Sequence, residues 1–221
     1  MCLLLLSAPE FTTGRSTQAV PGHNRWHPEL PAVAELISGG SVRMDCEAAR
    51  AGTEAVLCGP LSVLGAEPGD VIVVDVLGVG RADGHYAGGA HPGVLGCAPA
   101  ATALGIADPE PEGALLGHVR PGLDAYPRIA ARALRSAARG QEIGRCDVAR
   151  LTAGSRILLP VHVPGAKLSV GDLHFPERGA PDCRPDGPAG WIDIRVNLTK
   201  RGIERFRVTS PLLMPDPDQV A

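Results

Sequence analysis

Four short stretches of this sequence place histidine, aspartate or asparagine side chains next to glycine. They are GHNRWHP (22–28), GGAHPG (88–93), GRCD (144–147) and GDLH (171–174). Glycine lets a ligand approach the backbone closely, and histidine together with aspartate can act as acid, base or metal ligand. The residue types therefore predict proton transfer or water activation wherever the fold brings these stretches together.

The stretch GDLH contains a closely spaced acid and imidazole, Asp172 and His174. In an extended chain, residues two positions apart lie on the same face, so both side chains are expected to point into one cleft. The pair is compatible with a metal site, in which Asp172 and His174 bind a divalent cation such as zinc, and with a metal-free general base. The structural alternative is an aspartate turn at the surface with a solvated imidazole.

Further candidate residues come from the same glycine-flanked stretches. The predicted catalytic residues are Asp172, His174, Asp147 and His91, and the predicted substrate-binding residues include His23, Asn24 and Gly171. His23 can instead cap a loop, His91 can be a turn residue before Pro92, and Asp147 can cap a turn. A thiolate at Cys146 ranks second as a nucleophile, because the neighbouring carboxylate of Asp147 raises the pKa of a thiol. The signatures G-x-S-x-G and Ser-x-x-Lys are absent from the sequence.

Short strands are predicted to position these residues. The strand segments are 71–79, 156–163, 167–170 and 191–198. In the last of these, apolar residues alternate strictly with Trp, Asp, Arg and Asn, which is typical of a half-buried antiparallel strand. Two further runs, 32–37 and 41–47, flank Ser-Gly-Gly and predict a β-hairpin.

The remaining segments are predicted to be one helix, loops and tails. The helix is expected over 124–139, with a glycine-rich loop over 80–93 and a connection over 97–122. Residues 1–20 are predicted to form a loose N-terminal tail. Residues 21–215 are predicted to form a single domain, and residues 216–221 a C-terminal tail. With 28 Gly and 21 Pro, much of the chain must form turns, so the fold class is mainly β with minor helix, arranged as a β-sandwich.

The overall composition gives no reason to expect nucleic acid or an anionic membrane as partner. The net charge is −3 and aromatic residues make up 3% of the chain, which leaves neither a basic surface nor stacking platforms. No two of the six cysteines are separated by two residues, so they are expected to be small buried side chains in a reducing cytoplasm. The apolar run 2–6 is far too short to span a bilayer.

Long blocks of the sequence resemble the acetamidase/formamidase family, with the formamidase branch nearer. These blocks include GHNRWHPELPAVAELISGGSVRMDCEAA, GPLSVLGAEPGDVIVVDVLGV, HPGVLGCAPA and LPVHVPGAKLSVGDLHF. The resemblance implies a jelly-roll-like β-sandwich, a homo-oligomer, and hydrolysis of short linear amides such as formamide to the carboxylic acid and ammonia. The alternative is a non-catalytic relative that binds a small amide or serves as an assembly subunit.

The chain departs from the family pattern in several polar loops. It is shorter in RAGTEAVLC (50–58) and in RADGHYAGGA (81–90), and FPERGAPDC (175–183) follows GDLH in place of an acidic run. Polar loops usually carry function, so these losses bear on activity. Glu177, three residues after His174, is the candidate to replace the missing acid and to bind substrate.

Overall fold

Two β-sheets form the framework of the protein in a computed structural model that describes residues 2–7, 16–49, 53–85, 88–104, 113–136, 151–176 and 187–217. The larger sheet contains, from edge to edge, β13 (Leu212–Met214), β10 (Arg156–Pro160), β7 (Val71–Arg81), β12 (Gly190–Thr199), β5 (Gly40–Cys46), β1 (Cys2–Ser7) and β2 (Ser16–Val20). All of its neighbouring strands are antiparallel.

The smaller sheet lies over the larger one. It contains β4 (Ala34–Leu36), β6 (Leu57–Val63), β11 (Leu168–His174) and β8 (His91–Cys97), and only β4 pairs in parallel. A two-stranded ribbon joins β3 (Arg25–Trp26) to β9 (Leu134–Arg135). The described helices are α1 (Ala125–Ala130), α2 (Gly202–Phe206) and a 3₁₀ turn at Ala101–Ala103.

The core lies between the two sheets. Met44, Ile72 and Ile194 from the larger sheet belong to the same buried cluster as Leu61 and Leu168 from the smaller one. Along β12, alternate residues are buried as the sequence predicts. Burial of this apolar surface is the main favourable contribution to folding. The predicted β-sandwich is therefore confirmed. A strand forms in each of the segments 71–79, 156–163, 167–170 and 191–198, although β10 ends at Pro160 and β11 continues to His174.

The predicted hairpin of 32–37 with 41–47 is wrong. Its first segment contributes β4, which pairs in parallel with β6 in the smaller sheet, whereas its second contributes β5 in the larger sheet. Gly39, with a φ of 84°, makes the turn between them, and its N–H donates to the carbonyl of Val196. The turn signal was correct, but the two flanking runs pair with strands that lie elsewhere in the sequence.

Two other predicted segments also need correction. Residues 1–20 are not simply a loose tail, because β1 pairs with both β2 and β5. The helix predicted over 124–139 ends at Ala130, and Leu134–Arg135 pairs with Arg25–Trp26 instead, while residues 137–139 lie outside the described part. Tertiary strand pairing here overrides the local helix propensity.

Two smaller expectations also change. The glycine-rich loop predicted over 80–93 is shorter, since β7 extends to Arg81 and β8 begins at His91. Cys58 is disulfide-bonded, which the expectation of free buried cysteines did not include. Within the described ranges, no helix has the length and apolar character needed to cross a membrane.

Replacing Ile194 by alanine tests the position of the core. Ile194 is fully buried between the sheets, so removing its side-chain carbons is expected to lower the free energy of unfolding by ~2–4 kcal/mol. The matched control is Ile37→Ala, because Ile37 is 51% exposed and should change stability by less than ~0.5 kcal/mol. Urea unfolding followed by circular dichroism measures both variants. Equal losses at the two positions would contradict the assigned core.

Candidate active site

The pair Asp172 and His174 lies at the end of β11, beside β8. His174 Nε2 and Asp172 Oδ2 are 3.2 Å apart, so the two side chains predicted to share a cleft are in contact. Their side chains are 10% and 27% exposed, respectively, which places the carboxylate nearer to solvent. An imidazole in contact with a carboxylate can hold and transfer a proton.

The backbone at Asp172 explains why this pair faces away from the core. Asp172 has a φ of 54°, in the left-handed region that aspartate adopts more readily than most residues. Before it, Leu168 and Val170 belong to the core; after it, Leu173 belongs to the same core. The left-handed residue therefore shifts the alternation by one position and turns Asp172 and His174 outwards. The two side chains lie together as the sequence spacing predicts, although the strand is not regularly extended there.

Gly93 on β8 provides the space that the pair occupies. A Cβ at this position would lie 2.6 Å from both Asp172 Oδ2 and His174 Nε2, and 2.8 Å from the Asp172 carbonyl oxygen. Real Cβ contacts are not that short, so any larger residue would displace the carboxylate or the ring. Glycine at position 93 is thus a requirement of this geometry.

His91 supports His174 from the neighbouring strand. The two residues are cross-strand partners, and their rings stack with centroids 5.4 Å apart at an interplanar angle of 18°. His91 is fully buried, and its Nδ1 donates to the carbonyl of Gly89 at 3.0 Å. The structure thus brings together three of the four predicted catalytic residues. Asp147, the fourth, lies outside the described residues, as does Glu177.

His23 occupies a different, interior position. Its Nδ1 donates to the carbonyl of Arg25 at 2.7 Å, and its Nε2 accepts from the hydroxyl of Ser169 at 2.8 Å. Burial lowers the pKa of His23 to about 4, so the ring is neutral near pH 7. Both ring nitrogens are used within the protein. This arrangement corresponds to the structural alternative for His23 rather than to a substrate ligand.

Asn24 and Gly171 also make contacts within the fold. Asn24 Nδ2 donates to the carbonyl of Gly113, and the N–H of Leu115 donates to Asn24 Oδ1 at 2.7 Å. At Gly171, a Cβ would lie 2.8 Å from Leu57 Cδ2 and from the carbonyl oxygen of Val56. Asn24 therefore fixes the loop at 113–115, and Gly171 permits close packing of β11 on β6.

A cavity of about 900 Å³ opens beside Asp172. Its wall also includes Asn24, Glu54, Arg135 and Trp191. Glu54 accepts a hydrogen bond from the hydroxyl of Ser136 at 2.8 Å and lies 3.8 Å from Arg135. Sequence reasoning did not single out Glu54, Arg135 or Trp191, because no glycine-flanked pattern surrounds them and they meet only through long-range folding.

The cavity wall also contains a thiol and a carboxyl with shifted pKa values. Burial raises the pKa of the Cys46 thiol to about 12, so this cysteine is not a nucleophile near neutral pH. Burial also raises the pKa of the Asp45 carboxyl, and Arg43 opposes that rise. These groups shape the wall, and the Asp172–His174 pair remains the best-arranged proton-transfer group among the described residues.

Comparison with known proteins identifies the family. The model of the acetamidase/formamidase family matches residues 10–88 and 82–221. The chain belongs to the acetamidase/formamidase family, which confirms the resemblance in its sequence blocks.

Individual relatives agree with this assignment. A formamidase from Methylophilus methylotrophus is 28% identical over 88% of this chain and 68% of its own length. An acetamidase from Mycolicibacterium smegmatis is 31% identical over 90% of this chain and 71% of its own length. The solved structure of a gamma lactamase from Delftia acidovorans superposes with a TM-score of 0.73 at 27% identity, covering 89% of this chain and 68% of that one.

The buried His23 predicts a pH dependence of stability. Because the pKa of His23 is about 4 in the folded state and ~6.5 in the unfolded state, the unfolded state binds more protons between these values. The contribution of neutral, buried His23 to the free energy of unfolding is therefore complete above pH 6.5, and it is lost as the pH falls towards 4. Between pH 6.5 and pH 4.5, the free energy of unfolding should decrease by about 2 kcal/mol less in His23→Gln than in the unmodified protein. Urea unfolding at several pH values measures it.

The control for this prediction is His85→Gln. The side chain of His85 is 78% exposed and its ion pair with Asp83 lies at the surface, so its replacement should change the pH dependence of stability far less than replacement of His23. If His23→Gln and His85→Gln show the same decline towards acid pH, His23 is not the buried neutral group that the structure describes.

Proposed function

We propose that the protein is an amide hydrolase that cleaves the carbon–nitrogen bond of short linear amides, such as formamide and acetamide, to the carboxylate and ammonia. The observation that carries this proposal is the Asp172–His174 contact at the wall of an open cavity. Membership of the acetamidase/formamidase family and the names of two relatives, formamidase and acetamidase, support the same reaction class.

Hydrolysis of an amide needs an activated water and protonation of the leaving amine. Asp172 contributes to the cavity wall and is the more exposed member of the pair, so its carboxylate is the group that takes a proton from the attacking water. His174 Nε2 contacts that carboxylate and holds its orientation and charge. The proton taken from water is then delivered to the departing nitrogen, which leaves as ammonia.

His91 acts in this proposal as a positioning residue rather than as an acid or base. It is buried behind His174, stacks on its ring, and is itself held by the carbonyl of Gly89. Asp147 and Glu177 stay predictions as additional acids, and both lie outside the described residues.

A divalent cation such as zinc is an alternative activator at the same pair. Asp172 Oδ2 and His174 Nε2 would be its ligands, and a cation there would polarise the amide carbonyl and acidify a bound water. The fit is partial, because no group of three or more His, Cys, Asp or Glu side chains among the described residues is arranged to bind a metal. The general-base and metal versions therefore make different predictions.

Replacing His174 by alanine tests the proposed site. Turnover should fall at least ~100-fold, because without the imidazole the Asp172 carboxylate is no longer held in position to act as the base, while the melting temperature barely changes. Asp172→Asn should also lower turnover, and it keeps the backbone because asparagine tolerates the left-handed conformation. Ammonia release from formamide, acetamide and propionamide measures the activity, with the exposed His85→Ala as control.

If His174 has a structural role instead, its replacement should lower stability rather than turnover per folded molecule. Stability would then fall by roughly 1–3 kcal/mol, and the residual activity would follow the folded fraction. If the folded, unmodified protein releases no ammonia from any of the three amides, the non-catalytic alternative, an amide-binding or assembly subunit, replaces the proposed function.

Chelation separates the metal version from the general-base version. If Asp172 and His174 bind a divalent cation, exhaustive chelation should abolish ammonia release and zinc should restore it. Elemental analysis of the unmodified protein and of Asp172→Asn provides the control, since the variant should contain less metal. Full activity after chelation, with no metal detected, would assign the reaction to the general base alone.

A further inference from the structure

We propose that the cavity beside Asp172 binds the acyl chains of amides longer than acetamide, up to roughly six carbons or an aromatic acyl group. This inference rests on the proposed amide hydrolysis and names the substrates that suit the same site. The cavity volume of about 900 Å³ lies near the upper end of the ~300–1,000 Å³ found for small-molecule sites. Acetamide, with four non-hydrogen atoms, is much smaller than the drug-sized ligands that sites of this volume hold.

The wall of the cavity is mixed: Arg25, Asp45, Glu47, Glu54 and Arg135 contribute charged groups, and other residues offer apolar surface to such a chain. Ala55, Val56, Leu115 and Ala189 contribute aliphatic surface, and Trp191 contributes an aromatic ring. An acyl chain lying against these residues removes apolar surface from water, which favours binding in proportion to its length. Formamide has no such chain and gains nothing from this wall.

Trp191 is held in place before any substrate binds. Its ring lies over Gly80, where a Cβ would be only 2.5 Å from Trp191 Cζ2, and the guanidinium of Arg43 lies 4.1 Å from the ring centroid. Arg43 is in turn fixed by Asp193, with Nε donating to Oδ1 at 2.7 Å. A preorganised aromatic surface binds a ligand with little loss of side-chain freedom.

The experiment compares unbranched primary amides from acetamide to hexanamide with the unmodified protein. Each methylene placed against the wall is worth up to ~0.8 kcal/mol, so kcat/KM should rise about fourfold per carbon and on the order of 100-fold in total. Because the chain is bound equally before and during the reaction, the gain should appear mainly as a lower KM.

A cavity-filling variant localises the effect. Ala189→Leu should lower the ratio of kcat/KM for hexanamide to that for acetamide at least about fivefold, because the leucine side chain occupies the space of the acyl chain. The matched control is Ala103→Leu, since Ala103 is exposed and is not part of the cavity wall. An unchanged ratio in both variants would place the chain elsewhere and overturn the inference.

The outcome also separates this inference from the proposed function. If kcat/KM peaks at acetamide or propionamide and falls for hexanamide, the inference is overturned while amide hydrolysis stands. If no amide is hydrolysed, titration calorimetry decides: hexanamide binding at least about tenfold tighter than acetamide supports the acyl-chain cavity. Equal affinities for the two amides overturn it.

Discussion

The left-handed backbone at Asp172 is the constraint on which the candidate site depends. A regular strand would place residues 172 and 174 on the same side as Leu168 and Val170, inside the hydrophobic core. The positive φ at Asp172 instead returns Leu173 to the core, turns Asp172 and His174 away from it, and places Asp172 at the cavity wall. The left-handed conformation of Asp172 thus allows β11 to contribute side chains to the core along most of its length and to the candidate site at its end.

Much of the sandwich could be predicted from sequence, because strand periodicity is a local property. The alternation in β12 and the β-branched run in β7 each identified a strand correctly. The hairpin of 32–37 with 41–47 failed because the pairing of each run is decided by strands distant in sequence. The helix was too long for the same reason, since Leu134–Arg135 has strand partners that local propensity does not reveal.

The candidate site was predictable only where its residues lie close together in the chain or carry a local glycine-rich pattern. Asp172 and His174 stand two positions apart, so their contact follows from spacing, and His91 was marked by its glycine-rich surroundings. Glu54, Arg135 and Trp191 come together with Asp172 only after folding. His23 is a glycine-flanked histidine in the sequence, and in the structure its ring nitrogens contact the carbonyl of Arg25 and the hydroxyl of Ser169, as the structural alternative for this residue expects.

The clearance at Gly93 offers a criterion for sorting related sequences without assaying them. Since even a methyl group there would collide with both members of the pair, the contact between carboxylate and imidazole is incompatible with any other residue at this position. A related protein that retains the aspartate and the histidine but carries a larger residue opposite them must hold those groups differently. Inspection of this single position can therefore distinguish relatives that share the arrangement from those that share only the fold.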